Sequence, residues 1–135
     1  MYYDLFKNYI EYLYDYSTFR HVLEVSCVFE EGSNEWFLSM SHDLFEDTEI
    51  DKDYFYKVLS FYNKEFIFNS INCLTRLESE TYFTYINRIK TCNIKNCLCK
   101  KIKLRDLNVN YNNKLTLKPS LISRYEKALL ILSEV

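Results

Sequence analysis

Apolar side chains recur along this chain at steps of three and four, the spacing of one helical face, and no strand-length run alternates with period two. Residues 2–16 place Tyr2, Leu5, Phe6, Tyr9, Ile10 and Leu13 on one stripe and predict an amphipathic helix. A second helix is predicted over residues 19–30, ended by Gly32, the only glycine. Asn34 is placed to cap a third, which carries Trp36, Phe37, Leu38 and Met40 and runs on into His42-Asp43. Asp51 caps a fourth, with Tyr54, Phe55, Val58 and Leu59 inward, and Asn63 a fifth that reaches Leu74. Residues 80–91 repeat the pattern through Tyr82, Phe83, Ile86 and Ile89. Asn96 opens another helix, through Ile102 and Leu104 to Asp106 or beyond. Pro119 suits the first turn of the last, whose buried stripe is Leu121, Ile122, Tyr125, Ala128, Leu129 and Leu132. The predicted fold is all-α, a compact irregular helical bundle.

Composition supports helices. One Gly and one Pro leave little material for hairpin turns, and thirteen Tyr with ten Phe predict a core built of rings. The 135 residues carry no repeat and no linker-like shift, so residues 1–135 are read as one domain. A formal net charge of -2 gives no general reason to expect nucleic acid or an acidic membrane as partner. The N-terminal apolar stretch is broken by Asp4, Lys7, Glu11 and Asp15, which suits neither a signal peptide nor a span. A cytoplasmic protein is expected. In that compartment its five cysteines stay reduced without a structural disulfide. Cys92, Cys97 and Cys99 cluster in sequence, but no paired C-x-x-C unit is present and both histidines lie far away. They are read as reduced, partly buried thiols rather than as a zinc knuckle.

The most informative stretch is His42-Asp43-Leu44-Phe45-Glu46-Asp47-Thr48. On a helix, at about 100° per residue, His42, Asp43, Glu46 and Asp47 fall within about 140° of one another. An imidazole and three carboxylates on one side of a helix repel and desolvate one another unless a cation sits among them. Asp106 and Asn110, four apart, share a face with Lys103, and His21 lies early in the second helix. Two histidines and two carboxylates make a mixed nitrogen and oxygen shell suited to Mn²⁺, Fe²⁺, Co²⁺ or Zn²⁺. Positions left for water and a phosphate oxygen would make such a centre hydrolytic.

His21, His42-Asp43 and Asp106 together resemble the His…His-Asp…Asp signature of the HD superfamily of metal-dependent phosphohydrolases. The longer His42-Asp43-x-x-Glu46-Asp47-Thr48 resembles the motif of the RelA/SpoT-type hydrolases, which remove the 3′-diphosphate from the alarmones ppGpp and pppGpp. Leu74-Thr75-Arg76, Glu80-Thr81-Tyr82-Phe83-x-Tyr85-Ile86, Lys103-Leu104-Arg105-Asp106 with Asn110, and Arg124-Tyr125-Glu126-Lys127-Ala128-Leu129 resemble, in order, motifs of their small stand-alone members. The likeness covers about residues 19 to 132.

The resemblance implies an HD-type bundle with His21, His42, Asp43 and Asp106 as ligands of Mn²⁺ or another divalent transition metal. It implies Glu46 and Asp47 as catalytic carboxylates that orient water and move protons. Asn110, Lys103 and Arg124 would contact substrate, a small-molecule nucleotide such as guanosine tetra- or pentaphosphate. The basic run Lys90, Lys95, Lys100, Lys101, Lys103 and Arg105 would draw in a polyanion. The Gly- and Arg-bearing guanine loop of the long alarmone hydrolases has no counterpart, since Asp15-Tyr16-Ser17-Thr18-Phe19-Arg20 leads straight into His21. Three functions are therefore weighed: an alarmone 3′-pyrophosphohydrolase, an HD phosphohydrolase on another nucleotide, and an HD-fold nucleotide-binding or inhibitor protein. Tyr-rich helices would also allow two copies to pair.

Overall fold

The computed structural model describes residues 2–92, 97–113 and 117–134. All regular structure among them is helical: α1 (Tyr2–Leu13), α2 (Tyr16–Ser26), α3 (Asn34–Ser41), α4 (Leu44–Asp47), α5 (Lys52–Phe61), α6 (Ile67–Cys73), α7 (Tyr82–Lys90), α8 (Cys99–Asn112) and α9 (Pro119–Ser133). Helix α2 packs on α3 and on α8, and α9 covers α7 and α8. No described helix is long and apolar enough to cross a membrane.

Local chemistry moves several boundaries from where periodicity puts them. The second helix starts at Tyr16 rather than residue 19, because Asp15 is its N-cap and accepts the Thr18 N–H at 2.7 Å. Its C-cap is Cys27, and Gly32 stands beyond it in a separate loop. That loop requires the glycine: φ is +89°, and a Cβ would lie 2.4 Å from the Tyr3 ring. The third helix is capped by Ser33, which accepts the Trp36 N–H at 3.1 Å, with Asn34 as first helical residue. Asp51 caps α5 as expected.

Asn63 caps nothing that follows it. It ends α5 with φ +58°, its N–H reaching Ser60 O at 3.0 Å while the Lys64 N–H reaches Leu59 O at 2.8 Å. This is a Schellman ending in which Asn takes the left-handed position usually given to Gly. Thr81 caps α7, and Pro119 occupies the first turn of α9. Asn96, expected to open α8, lies outside the described residues, as does Lys95.

The core is ring-rich at the α1–α3–α5 side. Phe6, Trp36, Phe37 and Tyr62 are buried, and the Phe6 and Phe37 centroids are 4.7 Å apart. Such tilted and edge-on pairs add roughly 0.5–1.5 kcal/mol each beyond area burial. The α6–α9 side is aliphatic, with Ile71, Ile86, Ile89, Ile102, Leu107, Ala128 and Leu132 buried.

Two contacts set where α8 meets the rest. Arg105 donates to Glu24 O at 2.7 Å and to Val25 O at 3.3 Å, satisfying carbonyls in the last turn of α2, which has no basic residue of its own. This seats the next residue, Asp106, against the inward face of α2. On the other side the Cys99 thiol lies 3.2 Å from Ser70 O of α6.

Candidate metal centre

Four side chains from three separate places in the chain converge in the gap between α2, α8 and the end of α3. His21, one turn into α2, puts Nε2 2.6 Å from Oδ1 of Asp106 on α8. His42 is the C-cap of α3 and Asp43 follows it, so the His-Asp pair sits where α3 stops rather than within one continuous helix. Asp43 has φ -100° and ψ 2°, and α4 restarts at Leu44 for a single turn. The backbone stays close enough to helical for His42, Asp43, Glu46 and Asp47 to keep to one side. The Asp43 N–H is held by the buried Tyr14 hydroxyl at 3.2 Å.

His42 is 2 % exposed, and its Nδ1 lies 2.5 Å from the carbonyl of Ser39. A carbonyl only accepts, so Nδ1 carries the proton and Nε2 is left to face the gap. No hydrogen bond satisfies that Nε2. Oδ2 of Asp43 at 3.2 Å and Oδ1 of Asp106 at 3.4 Å are its nearest carboxylate oxygens, close enough for charge attraction but not aligned for a bond. A buried ring nitrogen without a bond, ringed by carboxylates and a second imidazole, is costly as it stands and suits a cation. Donor atoms of His21, His42 and Asp43 all lie within 4.8 Å of one another. With Asp106 they offer two nitrogens and two carboxylates, which fit a borderline divalent ion.

The electrostatics show the negative charge gathered around these imidazoles. Burial works against a charged His42, yet Asp43 and Asp106 outweigh it and raise its pKa well above the ordinary value. Burial also opposes ionisation of Asp106, but Lys103 and the two imidazoles hold its carboxyl well below the usual range. Lys103 is half-buried, with Nζ 3.0 Å from Oδ2 of Asp106. Asp47 is exposed by area but stands in a cleft wall. Partial desolvation, then the charges of Asp43 and Glu46, push it up to about 6. Glu46 is raised by burial as well, and its Oε1 accepts the Arg76 N–H at 2.6 Å.

Of the residues singled out by sequence, Asp43, Asp47, Lys103, Asp106, Asn110 and His21 line one recess of about 340 Å³. Arg124 does not line this recess; its guanidinium lies 4.7 Å from the centre of the Tyr82 ring. The basic run is largely occupied: Lys90 pairs with Glu134, Lys101 with Glu35, and Arg105 with the carbonyls of α2. Sequence reading missed Ser17 and Thr18, which also line the recess. They stand four and three before His21, so the helical spacing was present, but a helix start at residue 19 excluded them. A second recess of about 660 Å³ adjoins the first through Ser17 and His21 and is lined also by Tyr16, Arg20, Glu24 and Asn113.

No protein-family model matches the chain, and no curated protein matches it in sequence.

Proposed function

We propose that the protein is a metal-dependent phosphohydrolase of the HD type that acts on a nucleotide, and that its substrate is a guanosine alarmone. Water would attack the 3′-diphosphate, releasing pyrophosphate and leaving GDP or GTP. The observation that carries this reading is the unbonded, buried Nε2 of His42 facing Asp43, Asp106 and His21, with Glu46 and Asp47 one turn further on. The ordered likeness of motifs from His21 to Leu129 supports the choice of a 3′-diphosphate.

His21, His42, Asp43 and Asp106 would hold the metal, Mn²⁺ or a similar divalent ion, in place of the direct His21–Asp106 contact. Bound there, the ion supplies Lewis acidity toward a phosphoryl oxygen and lowers the pKa of water. Asp47, in the wall of the cleft beside Asp43, would take a proton from the attacking water. Glu46, fixed by the Arg76 N–H, orients that water with its other oxygen. Lys103 balances Asp106 and presents positive charge to the cleft, where Asn110 lies one turn beyond Asp106. The two adjoining recesses fall in the size range of small-molecule sites, with phosphate at the carboxylates and nucleoside toward Tyr16.

A second reading, hydrolysis of another nucleotide, draws on Tyr16 and Arg20. Tyr16 is 77% exposed and Arg20 lies over its ring, a surface that stacks any base without reading its edge.

Purified protein incubated with Mn²⁺ and ppGpp, followed by anion-exchange chromatography, tests the proposal. Pyrophosphate and GDP are expected from wild type and not from Glu46→Gln/Asp47→Asn. Intact ppGpp with Mn²⁺ bound removes the alarmone assignment, and a nucleotide panel then decides between another substrate and a binding protein.

A further inference from the structure

We propose that Cys73, Cys92, Cys97 and Cys99 form a second metal centre, a four-thiolate site for zinc. This inference is independent of the phosphohydrolase reading. The sulfurs of all four lie within 4.8 Å of one another. They come from three segments: Cys73 ends α6, Cys92 follows α7, and Cys97 and Cys99 stand at the start of α8. Spacing alone spoke against such a site because Cys92, Cys97 and Cys99 lack a paired C-x-x-C unit. The fold supplies the missing ligand, Cys73, from 26 residues before Cys99.

The geometry suits a tetrahedral ion. Zinc–thiolate bonds of about 2.3 Å imply sulfur–sulfur edges of about 3.8 Å. The four sulfurs are already inside a sphere that needs only small rotamer changes to reach this. Cys92 and Cys97, at 2.7 Å, open by about 1 Å toward such an edge. Cys73 and Cys99 are buried while Cys92 and Cys97 are partly exposed, which leaves an entry path. Sulfur ligands also separate this centre from the nitrogen and oxygen set at His21 and His42. Zinc prefers the former and Mn²⁺ the latter.

Neighbouring groups offset the charge that such a centre carries. Four thiolates around a divalent ion carry net negative charge. Arg88 stands beside them, its Nη1 2.9 Å from the Cys73 carbonyl. Helix α8 has no side-chain N-cap and no acidic residue in its first turn, and Lys100 and Lys101 oppose its dipole there. Thiolates at Cys97 and Cys99 offset that. The centre would clamp α6, α7 and α8 at the end of α8 that leads, one and two turns on, to Lys103 and Asp106. Cys27, the remaining cysteine, stands apart with its thiol on Glu24 O.

The test uses the full chain purified with zinc, analysed for metal content, then exchanged to Co²⁺ for absorption spectroscopy. The expected result is at least one zinc per chain, and for Co²⁺ an intense thiolate-to-metal charge-transfer band with strong tetrahedral d–d bands. The charge-transfer band persists in His42→Ala and Cys27→Ser and is lost in Cys73→Ser. If Cys73→Ser fails to fold, the wild-type Co²⁺ spectrum decides alone. Absence of the charge-transfer band in wild type overturns the proposal. So does a zinc-free protein that, denatured without reductant, shows fewer than five reactive thiols, because its sulfurs are then disulfides.

Discussion

Nε2 of His21 and Oδ1 of Asp106 lie 2.6 Å apart across 85 residues of chain. The contact exists because Arg105, the neighbour of Asp106, is spent on the carbonyls that end α2. One side chain docks α8 and the next meets His21 on α2. Lys103, a turn earlier, neutralises the other oxygen of the same carboxylate. Asp106 thus serves two partners, and its removal should be felt by both.

Asp106→Asn leaves the Lys103 ammonium, 14% exposed, without its counter-charge. Breaking a buried pair from one side costs about 3–5 kcal/mol. Urea denaturation of Asp106→Asn should show a loss of that order, and Asp106→Asn/Lys103→Met should recover most of it without restoring metal binding. A single-variant loss below about 1 kcal/mol would mean that the pair is solvated and contributes little.

Mn²⁺ should raise the thermal midpoint of wild type, by the equivalent of about 2.7 kcal/mol at a hundredfold excess over Kd. His42→Ala, which deletes the unbonded Nε2, should melt at one temperature with or without the ion. Wild type indifferent to Mn²⁺ would remove the metal centre from the reading of this cleft.

The loop between α6 and α7 predicts an acid-sensitive contribution to stability. The Arg88 guanidinium bonds both oxygens of Glu80 at 2.8 and 2.9 Å and lowers its pKa from an ordinary 4.5 to about 2. A carboxyl depressed on folding stabilises fully above its unfolded pKa. That stabilisation is lost as pH falls from about 4.5 to about 2. Stability measured by denaturant from pH 6 to pH 2.5 should therefore decline less steeply in Glu80→Gln than in wild type. Parallel curves would show that the ion pair does not persist in solution.

Gly32→Ala places a Cβ against the Tyr3 ring at a φ of +89°. Strain of this kind costs about 1–3 kcal/mol. Gly32→Ala/Tyr3→Ala should stay destabilised, because trimming the ring relieves the clash and not the backbone. Calorimetric melts of the two variants measure the split, and a fully wild-type Gly32→Ala would show that the loop shifts freely.

Legibility in the sequence followed the range of each interaction. The stripes of α1, α7 and α9 were readable because a helix buries one face at fixed spacing. Asp51 was readable as a cap because capping acts over three residues. Asn63 was misread: Asn both caps helix starts and tolerates the left-handed backbone, and only the Ser60 and Leu59 contacts decide between the two. Asp15 was overlooked because Tyr16-Ser17-Thr18 carries no apolar stripe, although its side chain sets where α2 begins.

The sequence by itself determined that this chain is helical, that its core would hold many rings, and that His42-Asp43 would be followed one turn later by Glu46-Asp47. These are local properties, settled by spacing and side-chain size. Tertiary structure alone decided that His21 faces Asp106, that Lys103 and Arg105 are engaged within the fold, and that Cys73 joins three distant thiols. Those outcomes depend on which helices abut and at what angle. Many packings bury the same apolar stripes, and a handful of polar contacts between helices select one of them.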